Sequence, residues 1–370
     1  MKILCLLDIE DYKDKNSFPI DFVNSLKNNS DFKSVDFGIN WLSEKIPKWD
    51  IVHIHWPEDL LKGKFLNFQN INWLNKKLAE WRKYSKITCT IHEHHSHYKN
   101  TQLASLLYWS VFSNCDGFIH LGNASVNIFN HFFDNKLSKI PFSVIPHGNY
   151  LSIGNPINKE NSRKKLGFKK VDDVILVVGK LRYQDEFILM INAFKNIKNE
   201  NCRLLFIGTL RSSKSYLKEL DFKTYFYNLI SNFYIKFKLY KSKNIVTRFG
   251  FKNNDYLLEC ISASDIIFIP RIRPLNSGNI PLGFSFSKVV VGSNWGNVGE
   301  FLNLYNNPTF EPNATFVEVA QSLLDGLLLA KTKTGEMNKI IADNDWDWSK
   351  ISNQYYMFYN SLKKISFFRA

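Results

Sequence analysis

Histidine is the side chain whose ordinary pKa lies nearest neutrality, and this chain distributes it unevenly. All nine histidines lie at or before His147, so any imidazole acid–base work belongs to the first part of the sequence. His53-Ile54-His55-Trp56-Pro57-Glu58 continues the apolar run Asp50-Ile51-Val52 and turns at Pro57. Strand alternation puts His53 and His55 on one face. His53 reads as a satisfied core histidine, and Glu58, just past the strand end, as a candidate general base. A denser group, His92-Glu93-His94-His95-Ser96-His97, follows the run Lys86–Ile91. It raises the question of a metal, but the spacing is not that of a tetrahedral site and no second cluster completes it. No metal is expected, and His92 reads as a strand-end histidine facing substrate.

Phosphate chemistry has to come from elsewhere. Neither G-x-x-x-x-G-K-[ST] nor G-x-G-x-x-G occurs. Gly179-Lys180-Leu181-Arg182 directly follows a strand pattern, and a guanidinium there can grip a phosphate. Asn276-Ser277-Gly278-Asn279 opens a helical pattern, so free backbone N–H groups at a positive dipole end are expected, with Arg271 and Arg273 just upstream. Together the two places suggest a diphosphate ligand. Asp345-Trp346-Asp347 matches a D-x-D metal motif in form, but Asp347 or Ser349 reads better as a helix N-cap.

These residues need strands and helices to carry them. Short apolar, β-branched runs recur at Lys2–Leu7, Ser34–Phe37, Asp50–Trp56, Lys86–His92, Gly117–Leu121 and Phe142–Pro146. Amphipathic stretches at Ile71–Tyr84, Thr101–Asn114 and Ala124–Phe133 separate them. Strands alternating with helices predict right-handed βαβ units and a parallel sheet. After a polar linker at Asn149–Lys170 the pattern restarts, with strands at Val174–Gly179, Arg203–Gly208, Ile245–Gly250, Asp265–Pro270 and Lys288–Gly292. Helical patterns follow at Phe187–Ile197, Asp255–Ser262 and Ile280–Phe286. The expected fold class is α/β, with two doubly wound Rossmann-like domains facing across a cleft and ligands at the carboxyl ends of the strands. The expected boundaries are 1–150, 151–345 and a final helical segment 346–370.

The chain has 370 residues, 45% of them hydrophobic, which suits two domains with real cores. Five scattered cysteines with no C-x-x-C pair point to buried thiols in a reducing compartment. No run approaches the roughly 18 apolar residues of a membrane span, and the apolar N-terminus is too short for a signal peptide. The formal charge of +14 suits phosphorylated substrates, an anionic membrane or nucleic acid, or simply solvated lysines. Nucleic acid is set aside because no recognised reading motif accompanies the charge. The basic, aromatic stretch Ser212–Lys243 could rest on a membrane, although a core-facing helix is the plainer reading.

The sequence resembles the GT-B glycosyltransferases of bacterial surface polysaccharide synthesis, near glycosyltransferase family 4, and within them a beta-1,4-mannosyltransferase-like branch. The resemblance covers nearly the whole chain. It rests on Asp50–Glu58 with its H-W-P-E, on His92 with His97, and on Ile145-Pro146-His147-Gly148-Asn149-Tyr150. In the second domain it rests on Gly179 with Arg182, and on Ser277-Gly278 followed by Gly296 and Glu300. It implies a metal-independent transferase without a cofactor, and the candidate bases in the first domain, with the glutamate pair of retaining relatives missing, point to inversion. A GDP- or UDP-linked hexose would be moved onto a glycan or lipid-linked acceptor, from the cytoplasm or the inner membrane face. The first domain would bind acceptor through His55, Trp56, His97 and His147, with His92 or Glu58 catalytic. The second would hold the donor through Gly179, Lys180, Arg182, Arg273, Ser277, Gly278, Asn279 and Glu300. The segment 346–370 would be the helix that crosses back to the first domain.

The sequence departs from that pattern in two places. The paired glutamates of retaining relatives fall on Pro274 and Leu282, and the Lys-Gly after the arginine is replaced by Asp185-Glu186. Two alternatives follow: a GT-B-fold sugar-nucleotide epimerase, and a non-catalytic partner subunit of a transferase.

Overall fold

The computed structural model describes residues 1–7, 9, 16–44, 48–61, 64–94, 102–181, 184–210, 244–250 and 253–364. The stretch Ser212–Lys243 and the residues His97 and Arg182 lie outside them. The chain forms two compact units, Met1–Gly148 with Asp345–Ala370, and Asn149–Asn344.

In the first unit, β1 (Lys2–Leu6), β2 (Ser34–Phe37), β3 (Ile51–Ile54), β4 (Lys86–Ile91), β5 (Gly117–His120) and β6 (Phe142–Val144) form a six-stranded sheet ordered β2-β1-β3-β4-β5-β6. Every pairing is parallel, with Ile3 opposite Ile51 and Ile51 opposite Lys86. β3 and β4 are buried along their whole length, as strands covered on both faces must be. The crossovers carry α1 (Phe18–Asn28), α2 (Phe68–Trp81), α3 (Gln102–Phe112) and α4 (Asn123–Phe132). Pro19 sits in the first turn of α1, where a missing N–H costs nothing. The Asn67 side chain caps α2 by accepting from the Asn70 amide.

The chain's last helix, Trp348–Lys364, belongs to this unit. Its Ile351, Tyr355, Phe358, Tyr359 and Leu362 join Ile3, Cys5, Phe22, Leu26, Ile51 and Ile119 in one core cluster. Each such large side chain contributes about 1.5–3 kcal/mol by leaving water. The helix comes so close to β5 that a Cβ on Gly117 would lie 2.7 Å from Leu362 and 2.8 Å from Phe358. Asp347 starts the helix, accepting from the Ser349 amide through Oδ1 at 2.9 Å.

The second unit contains β7 (Asp173–Leu181), β8 (Cys202–Leu210), β9 (Ile245–Phe249), β10 (Ile266–Phe268), β11 (Val289–Ser293) and β12 (Thr309–Phe310). Their order, β12-β11-β10-β7-β8-β9, is that of a Rossmann sheet. The direction of winding reverses between β7 and β10, so the crevice such sheets use for ligands opens at the carboxyl ends of those two strands. The helices are α5 (Lys159–Leu166), α6 (Gln184–Lys195), α7 (Asn254–Ala263), α8 (Asn279–Ser285), α9 (Gly296–Leu304), α10 (Phe316–Leu329) and α11 (Thr334–Asn344). Thr315 and Glu318 close a capping box on α10.

The strands fall where the apolar runs predict them, within a few residues. The runs did not announce α1, α9, α10, α11 or the two-residue β12.

Candidate functional site

In the first unit, the strands end in a cluster of rings. His55 follows β3 and His92 follows β4, and parallel pairing brings the two strand ends side by side. His55 Nδ1 and His92 Nε2 lie 2.9 Å apart. Trp56 stacks on His92, with centroids 4.7 Å apart and planes 27° apart. Phe18, at the start of α1, touches this whole group. Its ring centroid is 5.4 Å from His55, 5.5 Å from His92, 4.3 Å from His147 and 5.7 Å from Trp348. The structure therefore gathers His55, Trp56, His92 and His147, which the sequence singled out from three separate segments.

Low polarity keeps His55 and His147 neutral. Burial pushes His55 well below its ordinary value, and the neighbouring His53, His92 and His147 add to the effect. Burial brings His147 down to about 4, against a 2.6 Å hydrogen bond from its Nδ1 to the Gly148 carbonyl. His55 Nε2 is buried and has no hydrogen-bond partner among the described residues. His53 is the satisfied core histidine expected of it. Its Nδ1 meets Thr88 Oγ1 at 2.9 Å, its Nε2 meets Thr90 Oγ1 at 3.1 Å, and burial lowers it to about 3.

Glu58 lies in the short 3₁₀ turn Pro57–Leu61 and is half-buried. Tyr108 on α3 donates to its Oε2 at 2.8 Å. Burial, and after it the nearby Glu58 carboxylate, raise the Tyr108 phenol well above its usual range, so Tyr108 stays a donor. His97 lies outside the described residues. Among those residues, no group of three His, Cys, Asp or Glu is placed to hold a metal ion.

In the second unit, β7 and β8 carry a glycine pair two residues before their ends, Gly179 opposite Gly208. Gly179 has φ +105°, and a Cβ on Gly208 would fall 1.8 Å from the Gly179 carbonyl oxygen. Only glycine fits either place, so no side chain projects from this rung of the ladder. Three other segments converge on the end of β7. Asn279 Nδ2 donates to the Val178 carbonyl at 3.1 Å, and an Arg271 amino group reaches the Lys180 carbonyl at 3.3 Å. Arg271 also pairs with the buried Glu186 at 3.1 Å. The Arg273 guanidinium lies over the Trp295 ring at 5.2 Å. Gly296 has φ +57° and turns the chain into α9, which carries the half-buried Glu300.

The turn Asn276–Asn279 does not offer the row of free N–H groups expected from its sequence. Asn279 N points to Ser277 Oγ at 3.4 Å, Ile280 N to the Ser277 carbonyl at 3.3 Å, and Leu282 N to the Gly278 carbonyl at 3.1 Å. Pro281 has no N–H at all. The Gly278 amide has no partner among the described residues. A Cβ on Gly278 would approach the Tyr150 hydroxyl to 2.9 Å, which explains the glycine.

Three residues that sequence reasoning passed over help to build these sites: Phe18, Tyr108 and Trp348. The i, i+4 spacing of Phe18, Phe22 and Leu26 after a helix-starting proline was a readable signal for the first.

Two units, each a six-stranded parallel sheet flanked by helices, make this a GT-B fold. Residues 158–326, all within the second unit, match the family model described as Glycosyl transferases group 1. No curated protein matches the sequence. Among solved structures, the chain is similar to Anabaena HepE in complex with UDP-glucose. Identity is 13%, coverage is 98% of this chain and 100% of that one, and the TM-score is 0.70. It is also similar to a glycosyltransferase from Rickettsia africae, at 15% identity, 98% and 99% coverage and a TM-score of 0.63. Sucrose-phosphate synthase from Thermosynechococcus elongatus aligns at 15% identity over 86% of this chain and 75% of that one, with a TM-score of 0.60.

Proposed function

We propose that this protein is a glycosyltransferase that moves a hexose from a nucleoside-diphosphate donor onto a hydroxyl of a lipid-linked glycan. The observation that carries the reading is the end of β7. It is opened by Gly179, flanked by Lys180 and tied to Asn279 and Arg271, at the point where a Rossmann sheet takes its nucleotide. Similarity of this region to the group 1 model and of the fold to a UDP-glucose-bound protein supports it. The second unit takes the donor through Gly179, Lys180, Arg182, Arg273, Ser277, Gly278, Asn279 and Glu300. The first takes the acceptor through His55, Trp56, His97 and His147 and supplies the base.

The reaction is a single displacement. The base removes the acceptor hydroxyl proton, the oxygen bonds to the anomeric carbon, and the sugar–phosphate bond breaks with inversion. Fixed cations and amide dipoles, rather than a metal, take up the charge on the leaving diphosphate. The sugar is mannose or a related hexose on GDP or UDP, and the product is part of a bacterial surface polysaccharide. The charge of +14 and the basic, aromatic stretch 212–243 support work at the inner membrane face. No helix among the described residues is long and apolar enough to cross a membrane.

Crystals soaked with UDP and with GDP test the site. Diphosphate density beside Gly179 is expected, and nucleotide bound only in the first unit would sink the assignment. NMR coupling constants of the product test the stereochemistry, and an unchanged anomeric configuration would end the inverting scheme.

A further inference from the structure

The end of the first sheet opposite the histidines holds a second concavity, of ≈ 610 Å³. Four lysines line it, namely Lys2, Lys33, Lys48 and Lys363, with Trp49, Tyr84 and a single carboxylate, Asp50. Apart from Lys363, in the last turn of the final helix, these residues come from the amino ends of strands or from just before them. Their spacing is therefore set by backbone ladder bonds rather than by loops. The Lys33 amide donates to the Met1 carbonyl at 2.8 Å, the Asp50 amide to the Lys2 carbonyl at 3.0 Å, and the Lys86 amide to the Asp50 carbonyl at 3.0 Å. Trp49 is held by Ser85, whose hydroxyl donates to its carbonyl at 2.6 Å, and by an edge contact with Trp41 at 5.5 Å.

The charges in this pocket do not balance. Asp50 is already committed, accepting from the Lys2 amide at 2.7 Å and pairing with Lys363 at 3.0 Å. Burial alone would raise its pKa, but those two contacts outweigh burial and keep it ionised below its usual range. Lys2, Lys33 and Lys48 are exposed, and none forms an ion pair among the described residues. Three like charges around one concavity repel each other until an anion enters. Lysine ammonium groups bind phosphate as compact point charges. Tyr84, which is 52% exposed, and the half-buried Trp49 offer flat apolar surface beside the cations.

We infer that this pocket is a binding site for a phosphate-bearing ligand. The phosphate sits among Lys2, Lys33 and Lys48, and the organic part of the ligand lies against Trp49 and Tyr84. The site lies at the opposite end of the sheet from the histidine cluster and does not depend on the transferase reading. Its phosphate comes either from a soluble ester or from the headgroup of an anionic lipid.

Inorganic pyrophosphate titrated into the full chain tests the first source, and co-sedimentation with phosphatidylcholine vesicles containing phosphatidylglycerol tests the second. Each is run on the wild type, on Lys33→Gln/Lys48→Gln, and on a control, Lys195→Gln/Lys198→Gln, on exposed lysines of the other unit. The pocket variant should lose about tenfold or more of its binding in at least one arm, while the control keeps it. Loss in the pyrophosphate arm assigns a soluble phosphate, and loss confined to the vesicle arm assigns a lipid headgroup. Undiminished binding by the pocket variant in both arms, or an equal loss in the control, overturns the site. The second outcome would show an effect of net charge alone.

Discussion

His55 Nδ1 and His92 Nε2 share one hydrogen bond of 2.9 Å, and the other ring nitrogen of His55 is buried with no partner among the described residues. A bare lone pair in that position costs less than a stranded N–H. The pair is therefore best satisfied with the proton on His55 Nδ1, donated to His92 Nε2. We propose that the carboxylate of Glu58, which accepts from Tyr108, is the base, and that His92, held by His55, positions the acceptor oxygen.

This division of labour predicts different outcomes at the two residues. Glu58→Gln should lower turnover about 100- to 10,000-fold with donor affinity nearly unchanged. His92→Asn keeps a donor and should cost less. Single-turnover rates with donor dissociation constants check this, and a larger loss in His92→Asn would return the base to His92.

Acid should weaken the fold through its buried imidazoles. Burial lowers His53 to about 3 and His120 and His147 to about 4, from an ordinary 6.5. Between pH 6.5 and 4 the unfolded chain binds more protons than the native one, so stability falls as pH drops through that window. Each histidine contributes up to about 1.4 kcal/mol per pH unit, and the loss is reversed above pH 6.5. Urea midpoints at stepped pH measure it, and a midpoint flat from pH 7 to 4.5 would contradict the buried neutral state.

Gly148→Ala should destabilise the first unit by about 1–3 kcal/mol, the usual cost of overpacking. Its Cβ would lie 2.3 Å from the Trp348 ring. Thermal melts should show the drop, and Trp348→Leu in the same chain should recover part of it.

The P-H-G-N-Y segment shows how far sequence alone reached. The sequence groups these residues, and four of them have separate jobs. His147 packs on Phe18, Gly148 makes room for Trp348, Asn149 donates to the Ala342 carbonyl at 3.0 Å, and the Tyr150 hydroxyl abuts Gly278. The strands were legible because a buried parallel strand must be continuously apolar. The Trp348–Gly148 contact was not, because no local pattern links residues so far apart in sequence. At Ser277-Gly278 the row of free N–H groups expected from the sequence is shortened, because Pro281 has none to offer. The Glu186–Arg271 pair was also hidden, and it commits a cation at the end of β7 to a carboxylate.

Turnover should be insensitive to EDTA, because fixed cations rather than a divalent ion are proposed to stabilise the leaving diphosphate. Activity that vanished in EDTA and returned with manganese or magnesium would contradict this and bring back the cluster His92–His97 as ligands.

The central claim is that the second unit binds a nucleoside diphosphate at the end of β7. Calorimetric titration of UDP and GDP into the wild type and Arg182→Ala tests it most directly. One of the two nucleotides should bind, and Arg182→Ala should weaken it by about 1.5–3 kcal/mol, the range for a charge-assisted hydrogen bond. Heat from neither nucleotide, or equal affinity in the two proteins, would contradict the account.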